Sequence, residues 1–275
     1  MKDDRSSGTA MGVAAIRAIH QLIDDVPHIL EDPVSLRLID SARAEGILRD
    51  PERYRTQSAR ALRSHVVLRS RYAEDSLFEA ARSGVRQFVS LGAGYDTFAY
   101  RQPEWAQTLR IVEIDHPATQ SSKLDLLERK GIRVPENVEH LPLDLEKEAL
   151  GPGLAKTAFD PARPAFVACL GVLAYLHVET VHEILDNLGK LPRLSRFAFT
   201  FATRTDASQA LADRTAAHGE PWHARFDPDD MRSELVRRGF SKVSFLDPSD
   251  AADRYYKGRA DLPAPRKVTM GLAIV

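Results

Sequence analysis

The chain has 275 residues, 43% of them hydrophobic, and 38 Lys and Arg against 39 Asp and Glu leave a net charge of -1. That length suits one large α/β domain, or one with a helical appendage, while near-neutral charge argues against a dedicated nucleic-acid binder, which needs a basic surface. One cysteine, Cys169, excludes an intrachain disulfide framework and a Cys-rich zinc site.

The start is polar up to about residue 9 and is expected to fray. It is acidic early and lacks the apolar stretch of a secretory signal. From Thr9 to about Asp25, Ile16, Ile19 and Ile23 recur at helical spacing, with Thr9 as a candidate cap. Pro27, Pro33, Gly46 and Pro51 then punctuate short helical pieces such as Ser35 to Arg43. A long helix is predicted from Gln57 to Arg82, closed by Gly84.

Beyond Gly84 short apolar runs alternate with helical patterns. Strands are expected at 87–91, 110–115, 138–145, 165–172, 196–202, 242–247 and 267–275, with helices at 117–130, 178–188 and from Asp227 to Gly239. The longest apolar run, Ala165 to Leu176, is too short to cross a bilayer, which takes about 20 residues. Strands alternating with helices imply a parallel sheet covered on both faces. The last two strands follow one another with only a loop between, so the final one is expected to be antiparallel. The fold class is therefore a Rossmann-like α/β methyltransferase type. A helical lid (1–84) would precede a seven-stranded domain (85–275). A soluble, cytoplasmic protein is expected, with no membrane or nucleic-acid partner. The oligomeric state stays open, a homodimer included.

The sharpest local feature is Leu91-Gly-Ala-Gly-Tyr-Asp-Thr97, a strand running into a glycine turn. Gly92, Ala93 and Gly94 let a ligand approach the backbone closely. Asp115 ends the next strand at the offset expected of a ribose-binding acid, and Asp144 follows the third strand, where it can accept from an exocyclic amine. A dinucleotide fingerprint would want a third glycine; here Thr97 stands there, preceded by Asp96, whose charge would repel a pyrophosphate. S-adenosylmethionine fits better, having an adenosine, no phosphate and two positive groups. A nicotinamide oxidoreductase is the weaker reading.

These residues, with Tyr100-Arg101, Glu113-Ile-Asp115-His-Pro117, Gln120 and Lys123, resemble the leucine carboxyl methyltransferase-like family, a branch of the class I S-adenosylmethionine-dependent methyltransferases. The resemblance extends to Arg17-Ala18, Glu31-Asp32-Pro33, Arg69-Ser-Arg71-Tyr-Ala-Glu-Asp75, Gly171-Val-Leu-Ala-Tyr-Leu176 and Gly219-Glu-Pro-Trp222. It implies that Arg69, with Arg71, holds the cofactor's carboxylate, that 92–94 pass beside its methionine part, that Asp115 takes the ribose, and that Asp144 and Leu145 frame the adenine. Two departures stand out. Leu170 occupies a position where the family usually has Glu at the cofactor's edge, and Phe98 one where it usually has Arg.

The implied reaction is methyl transfer to a small-molecule, secondary-metabolite-like acceptor, oxygen by default. A carbon or nitrogen of an indole-like acceptor is the alternative, and a non-catalytic nucleoside binder with a decayed site the reading from another class. Candidates for orienting the acceptor or acting as base are His20, Tyr175 and His177, with His28 and Trp222 behind them. No metal is expected. His182-Glu183 lacks a second histidine at the helical offset, and the pairs His177/His182 and His218/His223 are five apart.

Overall fold

The computed structural model describes residues 6–217 and 219–275; the extreme start and His218 lie outside the described residues. In chain order the elements are α1 (Gly8–Ile23), α2 (Pro33–Leu38), α3 (Ser41–Arg49), α4 (Gln57–Arg82), β1 (Gln87–Leu91), β2 (Arg110–Asp115), α5 (Pro117–Arg129), β3 (Val138–Pro142), α6 (Leu150–Leu154) and β4 (Ala165–Cys169). Then follow α7 (Val178–Leu188), β5 (Arg196–Thr200), α8 (Asp206–Ala217), α9 (Pro228–Arg237), β6 (Lys242–Phe245), α10 (Pro248–Ala251) and β7 (Met270–Ile274).

The seven strands form one sheet in the order β3-β2-β1-β4-β5-β7-β6. The first five are parallel, and β7 runs antiparallel to both β5 and β6. Because β1 sits between β2 and β4, the chain winds outward in both directions from it. The crevice above the carboxyl ends of β1 and β4 is thus the topological switch point where such sheets take ligands.

Alternate residues of each strand feed opposite faces. Val89, Leu91, Val112, Ile114, Val167, Phe197 and Phe199 pack with Val181, Ile184, Leu185 and Leu188 of α7 and Met231 and Leu235 of α9. Each fully buried side chain of this kind stabilises by about 1.5–3 kcal/mol. On the other face Phe88, Ile111, Phe166, Ala168 and Ala198 meet Ala73, Leu77, Ala80 and Ala81 of α4. Helix α4 is capped by Thr56, whose Oγ1 accepts from Ala59 N at 3.3 Å. It ends at Gly84, whose φ of 96° lets Val85 N return to Ala80 O.

Several expectations need correcting. The cap of α1 is Ser7 rather than Thr9: Ser7 Oγ accepts from Ala10 N, and its own N–H donates to Thr119 Oγ1, so the chain is anchored well before residue 9. The piece read from Ser35 to Arg43 is two helices, parted at Ile39-Asp40 because Asp40 takes an extended backbone as N-cap of α3. Strands β3, β4 and β5 stop at Pro142, Cys169 and Thr200, and the segments freed after β3 and β4 become loops that line the crevice. Helix α8 was not anticipated, and the segment between β6 and β7 contains α10 and a π turn at 252–256 instead of a plain loop. Among the described residues no helix is long and apolar enough to cross a membrane.

Candidate functional site

The crevice opens into a cavity of about 390 Å³. Of the residues singled out by sequence, it is lined by Arg69, Gly92, Ala93, Gly94, Asp115, Asp144, Leu145, Leu170, Tyr175 and His177. The glycine turn forms its floor. Gly92 has φ +65°, and a Cβ there would drive into both γ-methyls of Val172. Gly94 has φ +49°, and a Cβ would press on Ala10 of α1, which crosses the turn. Ala93 N donates to Ile114 O at 2.9 Å, tying the turn to β2.

At the tip of β2 the Asp115 carboxylate accepts from Gly94 N and, at 2.7 Å, from His116 N. Burial raises its pKa against those two N–H bonds, and the residue lines the cavity. Farther along, Asp144 lies 3.6 Å from His116 Nε2 and 3.3 Å from Lys147 Nζ, beside Leu145. The opposite end is set by Arg69 on α4. Its guanidinium backs onto Gly171, where a Cβ would collide with it. It meets no hydrogen-bond or ion-pair partner among the described residues. Burial, together with Arg17, lowers its pKa to about 10. A buried guanidinium that lines a cavity can bind a carboxylate at two points through its planar fork of N–H donors.

The turn is braced from behind by buried charges. Arg17 Nε reaches Asp32 at 3.0 Å while its Nη2 donates to Tyr95 O, and Arg101 lies 3.3 Å from Asp32 and grips Glu74 with both Nη atoms. Asp96, one face open to the cavity, accepts from Phe98 N and lies 3.8 Å from Arg17. Arg17, Glu74 and Asp96 all line the cavity. Sequence reasoning gave Arg17 and Glu74 no role; the signal available was an arginine amid Ala14, Ala15 and Ala18 on the buried face of α1. Below the turn Lys123 Nζ binds Glu113 at 2.7 Å, joined by Tyr100 and His140.

Among the other residues singled out, His20, His28, Arg71 and Trp222 do not line the cavity, whereas His177 does. His20 does not line the cavity: it is fully buried, with Nδ1 2.8 Å from Asp24, which Arg63 also holds. Its neighbour His28 packs edge-on against it, also away from the cavity. Arg71 points elsewhere as well, paired with Asp75 at 2.8 Å one turn on. Two residues apart on a helix is about 200° of turn, so Arg71 projects from nearly the opposite side to Arg69 and the two do not act on one ligand group. Trp222 stands behind the wall, edge-on to Tyr175 at 6.2 Å, and so supports that side chain. His177 is placed at the rim, Nδ1 2.5 Å from Glu146, and stacks at 4.1 Å on His223. No group of three metal-ligating side chains occurs among the described residues.

The donor set fits a ligand with a carboxylate, a ribose and an adenine. The profile of the leucine carboxyl methyltransferase family matches residues 10–189, from α1 through α7. This chain belongs to that family. It is an S-adenosylmethionine-dependent methyltransferase with the class I fold. Among similar proteins is YktD of Bacillus subtilis, whose name proposes such an enzyme; it is 28% identical over 290 residues, covering 95% of both chains. A Frankia alni protein named in the same way is 30% identical over 242 residues, 86% of this chain and 83% of that one. Among solved structures, a proposed methyltransferase from Thermobifida fusca superposes with a TM-score of 0.56 at 18% identity, covering 99% of this methyltransferase and 96% of that chain. A Streptomyces avermitilis protein gives 0.54 at 18%, covering 94% and 95%.

Proposed function

We propose that the enzyme methylates a small-molecule, secondary-metabolite-like acceptor, with oxygen the default target. The observation that carries the site assignment is the order of groups along the cavity: unpaired Arg69, then the glycine turn, Asp115, and Asp144 with Leu145. That order matches carboxylate, methionine chain, ribose and adenine. When bound, S-adenosylmethionine supplies an electrophilic methyl on a sulfur that leaves as a neutral thioether.

The protein's own work is then mostly alignment and exclusion of water. Arg69 holds the carboxylate end, and the open face of Asp96 suits the ammonium beside it. Asp115 accepts from ribose hydroxyls and Asp144 from the exocyclic amine. Helix α1, which crosses the glycine turn at Ala10, serves as lid, while α4, which carries Arg69, covers one face of the sheet. No general acid is needed. A hydroxyl acceptor needs its proton removed, and His177 suits that task, because Glu146 fixes one ring nitrogen and leaves the other for the acceptor. Tyr175, its pKa raised by burial, stays a neutral hydroxyl that orients the acceptor.

A second reading, transfer to carbon or nitrogen of an indole-like ring, is favoured by the uncharged Leu170 and Phe98 in the cavity wall. Calorimetric titration with S-adenosylmethionine, S-adenosylhomocysteine and NAD tests the cofactor assignment. Both adenosyl compounds should bind with one-to-one stoichiometry and NAD should not. Binding of NAD alone would overturn it.

A further inference from the structure

The cavity does not end at Arg69. Its lining continues down α4 through Ser70, Ala73, Glu74 and Leu77. From Arg69 to Leu77 the helix advances about 12 Å at 1.5 Å per residue. Helix α4 runs antiparallel to β1, since it leads into that strand's start, so this extension descends along the sheet. The sheet side is Ser90 and Phe88 of β1 with Ala168 and Phe166 of β4, and Phe98 and Leu170 close the remaining sides. Alanines at 73 and 168 and the serine at 90 leave the gap that bulkier residues would fill.

Two facts decide what such an arm can hold. Arg69 marks the carboxylate terminus of the cofactor in the reading above, on which this inference rests, so the arm lies outside the cofactor's length. Its walls also offer no open charge: Glu74 is the one ionisable side chain on them, and Arg101 occupies both its oxygens. Apart from the hydroxyls of Ser70 and Ser90, what remains is aromatic and aliphatic. Phe88 stands edge-on to Phe98 at 5.6 Å and is tilted to Phe166 at 5.9 Å, the packing geometry that a further ring can join.

We propose that this arm receives an uncharged, ring-bearing part of the methyl acceptor, so that the acceptor is a flat apolar small molecule rather than a peptide carboxylate or a sugar. Leu170, where the arm leaves the cofactor's path, is then a specificity-determining residue.

The probe is 2-naphthol, flat and apolar with one hydroxyl, titrated calorimetrically into the protein alone and into protein saturated with S-adenosylhomocysteine. One saturable naphthol site is expected. Ala168→Leu should weaken it by about tenfold or more, because the added side chain occupies the gap that the ring would fill, while affinity for S-adenosylhomocysteine is unchanged. Leu170→Gln, which keeps the volume but adds an amide, should also weaken naphthol and guards against a misfolded Ala168 variant. The proposal is overturned by no saturable naphthol binding to the wild type, by equal naphthol affinity in wild type and both variants, or by naphthol and S-adenosylhomocysteine affinities falling in step. Failure of S-adenosylhomocysteine to bind the wild type would instead sink the cofactor assignment, and the naphthol titration of the protein alone would still read the arm.

Discussion

Along one wall of the cavity, from Asp144 through Asp115 to Arg69, the lining groups are charged, and salt bridges behind them fix the backbone: Arg17 with Asp32, Arg101 with Glu74, Lys123 with Glu113. Along the other wall, under α4, the lining is mainly Phe88, Phe98, Phe166 and Leu170, held chiefly by packing, with Glu74, paired to Arg101, its one charged side chain. The first wall tolerates little change, because a buried charge that loses its partner keeps its desolvation cost. The second can be resized one side chain at a time at modest cost. A site built this way keeps its cofactor while its acceptor changes.

The sharpest way to break that contrast is to attack the bracing. Asp32 is fully buried, bonds Arg17, lies 3.3 Å from Arg101, and caps α2 through Ser35 N at 3.0 Å. Asp32→Ala should cost about 3–5 kcal/mol of stability, the usual penalty for stranding a buried partner. Urea denaturation measures it, and a loss below about 1 kcal/mol, the worth of an exposed pair, would show that the bracing is incidental. Next in size is Arg69→Ala. Its guanidinium has no hydrogen-bond or ion-pair partner among the described residues to strand, so the free protein should keep its stability. Affinity for S-adenosylmethionine should nonetheless fall by about 1.5–3 kcal/mol, the worth of a charged hydrogen bond. An unchanged affinity would remove Arg69 from the site.

What could be read in advance follows the same divide. The strands, the glycine turn and the acids after β2 and β3 announce themselves because each needs particular residue types at fixed offsets. So did the antiparallel end of the sheet. The apolar arm was legible only as two uncharged substitutions, Leu170 and Phe98, since Phe88 and Phe166 look the same in sequence whether they border a cavity or fill a core. His20 was misplaced because a histidine on an apolar helix face does not reveal which neighbour satisfies it; here it is Asp24, one turn along. Helix α8 was passed over because its segment, dominated by Ala, has little apolar periodicity to show.

The smallest expected effect concerns His65, one turn before Arg69 on α4. Burial, and then the charge of Arg69, lower its pKa from 6.5 to about 4. As pH falls, the unfolded chain protonates this imidazole near 6.5, before the folded protein can. Its contribution to stability is therefore whole above 6.5, shrinks through the window, and is lost by about 4. His65→Leu should flatten stability against pH within that window. The wild-type curve alone does not isolate the effect. His20, also lowered by burial, pulls the same way, while Glu74 and Asp115, both raised by burial, pull oppositely. The difference between wild type and variant removes them, and a difference constant with pH would show His65 to be ordinary. Adding S-adenosylhomocysteine sharpens the measurement. A carboxylate on Arg69 cancels part of the repulsion on His65, so the pH-dependent difference should narrow with ligand bound in the wild type.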